Sequence, residues 1–247
     1  MFTAIFSRAF DLLGRHFVVI FGTAFFILGV PSMLGAVFLS DLAAEVENNL
    51  FESLFGNFGP VVGYALAGLA LYMINYSIIT EIAVTGLVHR EFRLSDALGR
   101  SLINIVPLLI VTALCMLMNI CGFLLLIIPG IILMLATSVA CTAYVAEGGI
   151  GIIGAIKRSF ALTKDNRWAL LGLFICVGLL QGVLTSIAEA PLKYVGQEMA
   201  QPVFMALSGL ISAMGDVFTL VFSVAAYVCL REAKEGKPAE SAADVFA

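Results

Sequence analysis

Few side chains in this sequence are equipped for chemistry, and those few sit in unusual places. Asp216 stands near the middle of an apolar run, in Ser212-Ala-Met-Gly-Asp-Val-Phe-Thr. A carboxylate at the centre of a membrane helix costs at least about 2.5 kcal/mol, so it must face a protein interior or water. Two chemistries fit it: a proton or ion site, or a protonated acid hydrogen-bonded between helices. Glu81 also lies within an apolar run, close to its basic end, where an ion pair with Arg90 or a contact with lipid headgroups suits it. Asn75, Asn119 and Gln181 are uncharged amides in similar runs, and such groups bond across helices at about 1 kcal/mol each. Only His16 and His89 are of a type that could serve as a neutral-pH base, and they belong to separate segments.

Recognisable catalytic spacings are missing. There is no H-E-x-x-H, G-x-S-x-G or Walker phosphate loop. Gly149-Ile-Gly-Ile-Ile-Gly154 spells G-x-G-x-x-G, but it follows an apolar run where a strand is required, and no acid stands about 20 residues further on. It reads as a turn, not a dinucleotide site. Cys115, Cys121, Cys141, Cys176 and Cys229 fall in apolar runs without C-x-x-C spacing. They read as small buried hydrophobes, with no disulfide framework and no metal site. No catalytic residue and no cofactor is expected, and the chain reads as a non-enzyme.

The elements that hold these residues are membrane helices. The 247 residues are 61% apolar and 12% charged, against about 25% charged in a soluble domain. Ser101 to Ala146 contains no Asp, Glu, Lys, Arg or His. Roughly 20 apolar residues cross a hydrocarbon core, so this stretch suits a hairpin of two spans, broken near Cys121-Gly122 or Pro129-Gly130. The whole chain reads as all-α, a polytopic bundle of six transmembrane helices at about 17–38, 60–88, 102–122, 128–146, 168–188 and 203–230. Pro31 predicts a kink in the first. Amphipathic segments at 1–16, at Ser95–Leu102 (capped by Ser95, with Ala97, Leu98 and Leu102 facing lipid) and at Ile152–Arg167 are expected to lie in the interface. Part of the acidic stretch Asp41–Gly59 suits an amphipathic helix on the outside. Pro191 and Pro202 mark a short outer loop, and 231–247 reads as a disordered polar tail. Met1–His16 does not resemble a cleavable signal peptide.

Charge orients the bundle. All 13 Lys and Arg except Lys193 fall in the N-terminal segment, the second-to-third loop, the fourth-to-fifth loop and the tail. The positive-inside rule then places those segments and both termini in the cytoplasm. Trp168 opens the fifth span at the interface, where indole is favoured. Arg90, Arg93, Arg100, Lys157, Arg158, Lys164 and Arg167 form a cytoplasmic ring that anionic headgroups would attract at roughly 1 kcal/mol per charge. Arg8-Ala9-Phe10, Arg100-Ser101-Leu102 and Arg158-Ser159-Phe160 each precede an odd-numbered span. Either the chain holds three copies of an interfacial helix plus a two-span hairpin, or basic amphipathic segments recur simply because they face the cytoplasm. Gly178 and Gly182 form a G-x-x-x-G suited to close helix packing within the chain.

Leu124-Leu-Leu-Ile-Ile-Pro-Gly-Ile-Ile-Leu-Met-Leu, Ala155-Ile-Lys-Arg-Ser-Phe-Ala-Leu-Thr-Lys164 and Arg167-Trp-Ala-Leu-Leu-Gly-Leu173 together resemble the bacterial six-span proteins related to the membrane domain of glycerophosphoryl diester phosphodiesterase. The matching block is about Ile105–Leu173. The resemblance implies a multi-pass protein of the bacterial inner membrane. The phosphodiesterase activity belongs to a separate soluble domain that this sequence lacks, so it is not carried over. The expected function is that of a non-enzymatic lipid-interacting or scaffold module. The expected partners are membrane lipids, anionic headgroups among them, and a second copy or another membrane protein, with no nucleic acid. The alternative is a small transporter or transporter subunit working through Asp216.

Overall fold

The computed structural model describes residues 2–35, 58–87, 94–195 and 201–236. No strand occurs among them. The helices are α1 (Phe2–Ala24), continued by a π-helical turn (Phe25–Gly29) and helix to residue 35; α2 (Phe58–Leu87); α3 (Leu94–Leu125); α4 (Ile127–Thr137); α5 (Ala140–Glu147); α6 (Gly151–Thr163); α7 (Arg167–Val195); and α8 (Gln201–Glu235). Six stretches are long and apolar enough to cross a membrane: Thr3–Gly35, Val62–Thr85, Ser95–Leu125, Ile127–Glu147, Arg167–Leu192 and Ala206–Glu235. The chain is an all-α polytopic bundle and a multi-pass membrane protein. Arg8 near the start of α1 is bonded to Glu232 near the end of α8, so the two described chain ends share one side, hereafter the terminal side.

The hairpin between the third and fourth spans turns between the two predicted points, at Leu126, whose backbone is extended (φ -166, ψ 155). Pro129 then falls in the first turn of α4, where its missing N–H costs nothing. The arms can close this tightly because Gly122 faces Gly130: a Cβ on Gly122 would lie 3.1 Å from the Gly130 Cα. The fourth span is itself broken. Val139 leaves helical geometry (φ -110, ψ 12), separating α4 from α5. Hydroxyls of neighbouring helices serve the carbonyls around this break: Ser159 Oγ donates to Ala136 O at 2.7 Å and Ser223 Oγ to Ser138 O at 3.5 Å. Irregular backbone at membrane depth persists only where protein covers it, as here.

Other differences from the sequence reading have local causes. α1 kinks at His16 (φ -118, ψ 22), the expected border between the interfacial segment and the first span. Its stripe of Ile5, Ala9 and Leu13, however, is buried on protein and does not lie on lipid; Phe6 packs edge-on against Phe222 at 4.9 Å. The irregularity expected at Pro31 is the π turn just before it, in which the Val30 N–H donates to Phe25 O, five residues back. Ser95 lies inside α3 instead of at its cap and bonds Asp96 Oδ1 at 3.3 Å, while Ala97 is buried instead of facing lipid. Pro191 belongs to α7 instead of a loop, and Pro202 to the start of α8. The helix continues through Arg231–Glu235, where a disordered tail was expected. Gly178 and Gly182 have nothing within 4 Å of an added Cβ, so they pack no helices together among the described residues. Cys121 and Cys176 are exposed, unlike Cys115 and Cys229. Of the acidic stretch Asp41–Gly59, where part was expected to be an amphipathic helix, all but the last two residues lie outside the described residues, as do His89, Arg90 and Arg93.

One core runs the length of the molecule, centred on α8. Of the apolar window of α8, 78% is buried, against 17% for its neighbour α7. Val217, Leu220, Val221, Phe222, Val224 and Leu230 meet Ile20 of α1 and Ile78, Ile79 and Ile82 of α2.

Candidate functional site

On the terminal side Arg100 and Arg158, expected on lipid headgroups, are instead paired with acids, and so is Arg8. Arg100 Nε meets Glu81 Oε1 at 3.0 Å, Arg158 Nε meets Glu147 Oε1 at 2.6 Å, and Arg8 Nη2 meets Glu232 Oε2 at 2.7 Å. Glu81 therefore has an ion-pair partner, and it is Arg100. The three pairs follow one rule. Each Arg opens a two-span unit, and each acid ends the second span of the unit before it, with the third unit closing on the first. The residue after each Arg (Ala9, Ser101, Ser159) is fully buried. The three pairs repeat one arrangement, which membrane orientation, placing cations but assigning them no partners, does not by itself require.

The largest of these clusters surrounds Arg158. Its guanidinium also reaches Glu235, which accepts from Arg231 Nε at 3.1 Å, and Tyr227 Oη donates to Glu147 Oε1 at 2.8 Å. Lys234 Nζ bonds Asp165 Oδ2 at 2.5 Å and holds that exposed carboxyl below its ordinary range. What faces outward is a narrower set. Lys157 and Lys164 are exposed, next to exposed Ile153 and an 86% exposed Trp168; Arg167 is half-buried, with its Nε unpartnered.

The acids also index a polar stack in the bundle interior. Five residues before Glu81, Glu147 and Glu232 stand Tyr76, Thr142 and Tyr227; nine before them stand Tyr72, Ser138 and Ser223. Tyr76 and Thr142 join hydroxyl to hydroxyl, and both are buried. Below that contact opens a groove of about 630 Å³. Tyr72 and Tyr76 of α2 line it, with Ser138 and Met134 of the fourth span, Phe174 of α7, and Thr219 and Ser223 of α8. The α3 wall carries Thr112, Met116, Asn119, Ile120 and Phe123. No Asp, Glu, Lys or Arg lines it among the described residues. The sequence carried a signal for this site in the shared spacing of hydroxyls ahead of three acids, visible once the repeat is set in register.

Asp216 stands one layer behind the groove. Thr219, on the wall, donates to Gln181 Oε1 at 2.6 Å, and Gln181 Nε2 donates to Asp216 Oδ1 at 3.1 Å. Both ends of one amide are thus used to clamp α7 to α8. Gly215 allows the approach, since an added Cβ would lie 3.0 Å from Thr185 Cγ2. Asn119 Oδ1 likewise accepts across helices, from Thr137 Oγ1 at 3.4 Å. Asn75 departs from expectation: it is fully buried and neither amide atom has a partner among the described residues. No group of three or more His, Cys, Asp or Glu that could hold a metal occurs among the described residues.

Comparison with family models, with curated proteins and with solved structures gave no match.

Proposed function

We propose that this is a non-enzymatic, lipid-interacting module of the bacterial inner membrane, with both termini in the cytoplasm, that engages anionic headgroups through one face of α6 and the start of α7. The observation that supports it is the exposed set Ile153, Lys157, Lys164 and Trp168. An isoleucine, an indole and two lysines, all exposed from α6 to the first turn of α7, suit the level where acyl chains meet headgroups. Arg100 and Arg158, tied to acids, contribute structure more than attraction. The resemblance to the membrane domain of glycerophosphoryl diester phosphodiesterase, rather than to its catalytic domain, points the same way. At roughly 1 kcal/mol per cation near an anionic surface, Lys157→Glu with Lys164→Glu removes most of any preference for phosphatidylglycerol over phosphatidylethanolamine. Lipid retained by purified protein from mixed vesicles measures it. Equal retention by wild type and the double variant would end this reading.

A second reading, a small transporter or transporter subunit working through Asp216, is favoured by one observation: the groove wall at Thr219 leads through Gln181 to Asp216. Asp216→Asn keeps the shape and removes the charge. If proton- or solute-linked phenotypes persist in that variant, the acid is a clamp and not a carrier.

A further inference from the structure

The groove below the Tyr76–Thr142 contact has a chemical character that selects its occupant. Met116, Ile120 and Phe123 line it and are also exposed on the outer face of α3, so its mouth opens sideways to the hydrocarbon. On the terminal side, the buried hydroxyl pair and the Glu147–Arg158–Glu235 cluster lie between it and water. A ligand therefore arrives through the bilayer. The absence of charged side chains from the wall argues against a charged ligand, whose burial without a partner is prohibitive. The volume, about 630 Å³, is that of a small-molecule site.

Two wall groups are left waiting for an acceptor. The Tyr72 hydroxyl forms no hydrogen bond among the described residues, and Asn119 uses its Oδ1 while its Nδ2 amide donates to none of them. Both are donors at a depth where water is scarce, and groups so placed need a partner. We infer that the groove binds one neutral lipid through an ester or amide carbonyl, which accepts from Tyr72 Oη and Asn119 Nδ2 while the acyl chain runs out past Met116, Ile120 and Phe123. The site is separate from the headgroup face on α6, and neither proposal requires the other.

The test uses full-length protein in phosphatidylethanolamine vesicles with three diazirine-tagged probes of equal chain length: a monoacylglycerol, an alkane and a fatty acid. The monoacylglycerol is expected to label the α3 segment around Met116–Phe123 at least fivefold more than the lipid-exposed Leu179–Ile187 segment of α7. The alkane is expected to show no such preference, and the fatty acid is expected not to displace the monoacylglycerol. Tyr72→Phe, which keeps the ring, should reduce the preferred labelling severalfold; Asn119→Leu should add to that. Met116→Trp, at an exposed position tolerant of bulk, should block the mouth. Equal labelling by ester and alkane, unchanged labelling in Tyr72→Phe, or displacement by the fatty acid would overturn the assignment. Should Asn119→Leu fail to fold, Tyr72→Phe and Met116→Trp decide alone.

Discussion

The second, fourth and sixth spans form an inner set and the first, third and fifth an outer one, ordered oppositely to a soluble protein. In their apolar windows the inner spans are 33, 44 and 78% buried, the outer ones 17, 22 and 17%. Yet the outer windows are the more apolar, with mean hydropathies of 2.2, 2.5 and 2.2 against 1.5, 1.9 and 1.8. Lipid solvates Leu and Ile as well as protein does, so nothing drives the most apolar helices inward. Polar groups are driven inward, because only protein can satisfy them there. The inner spans accordingly carry Tyr76, Thr142, Ser223 and Tyr227, together with the acids that pair with Arg100, Arg158 and Arg8.

That contrast can be broken most severely at Arg158. Arg158→Ala leaves Glu147, whose side chain is 12% exposed, without an ion-pair partner and takes from Glu235 one of its two arginines, and is expected to cost about 3 kcal/mol. Reversible unfolding in bicelles reads it out. Arg100→Ala also leaves an acid that is 12% exposed, Glu81, but the guanidinium lost is 61% exposed and holds that one acid alone, so the loss in the same assay should be smaller, about 1–2 kcal/mol. A comparable loss at both positions would show that the three units do not differ in burial as described.

Packing gives the next largest effect. Ala226 on α8 is fully buried, whereas Val183 on α7 is 56% exposed. Ala226→Leu should destabilise by about 1–3 kcal/mol through overpacking. Val183→Leu, on the lipid face, should stay within about 0.5 kcal/mol. Equal thermal shifts for the two would dissolve the distinction between inner and outer spans.

The clamp between the sets is weaker. Gln181→Leu leaves Asp216 and Thr219 without their shared partner and should cost about 1 kcal/mol. Its signature is easier separation of α7 from α8, read as faster crosslinking of a cysteine pair placed across them.

The smallest effect lies on the surface, where Lys234 holds Asp165 below its ordinary range. A carboxyl whose folded value lies below its unfolded value stabilises above the unfolded value, about pH 4, and that stabilisation is lost as pH falls through the folded value. Asp165→Asn should therefore remove a slight acid-side dependence, and salt should mask the difference. Any change persisting at neutral pH in high salt would place Asp165 in a more enclosed setting than its exposure indicates.

The repeat shows how far the sequence carried the reading. Arg8, Arg100 and Arg158 stood out as recurring marks, but their partners did not, because Glu81, Glu147 and Glu232 lie at unequal distances along the chain. Pairing the first unit with the last also required knowing that the bundle closes. Asn119 and Gln181 were legible as bonds between helices because an amide in hydrocarbon has few alternatives. Ala97 and the Ile5–Ala9–Leu13 stripe were misassigned to lipid, since an apolar face is equally suited to protein or acyl chains.

The amino-acid order alone determined the class, the count of crossings and which segments share a side. Those depend on sums along the chain: apolar length against bilayer thickness, and where cations cluster. Only the folded bundle decided which face of each helix turned inward, where the third and fourth spans part at Leu126, and that hydroxyls from three distant segments gather above an uncharged groove. Hydropathy is additive and local, whereas hydrogen-bond partnership depends on directions that exist only once the helices cross.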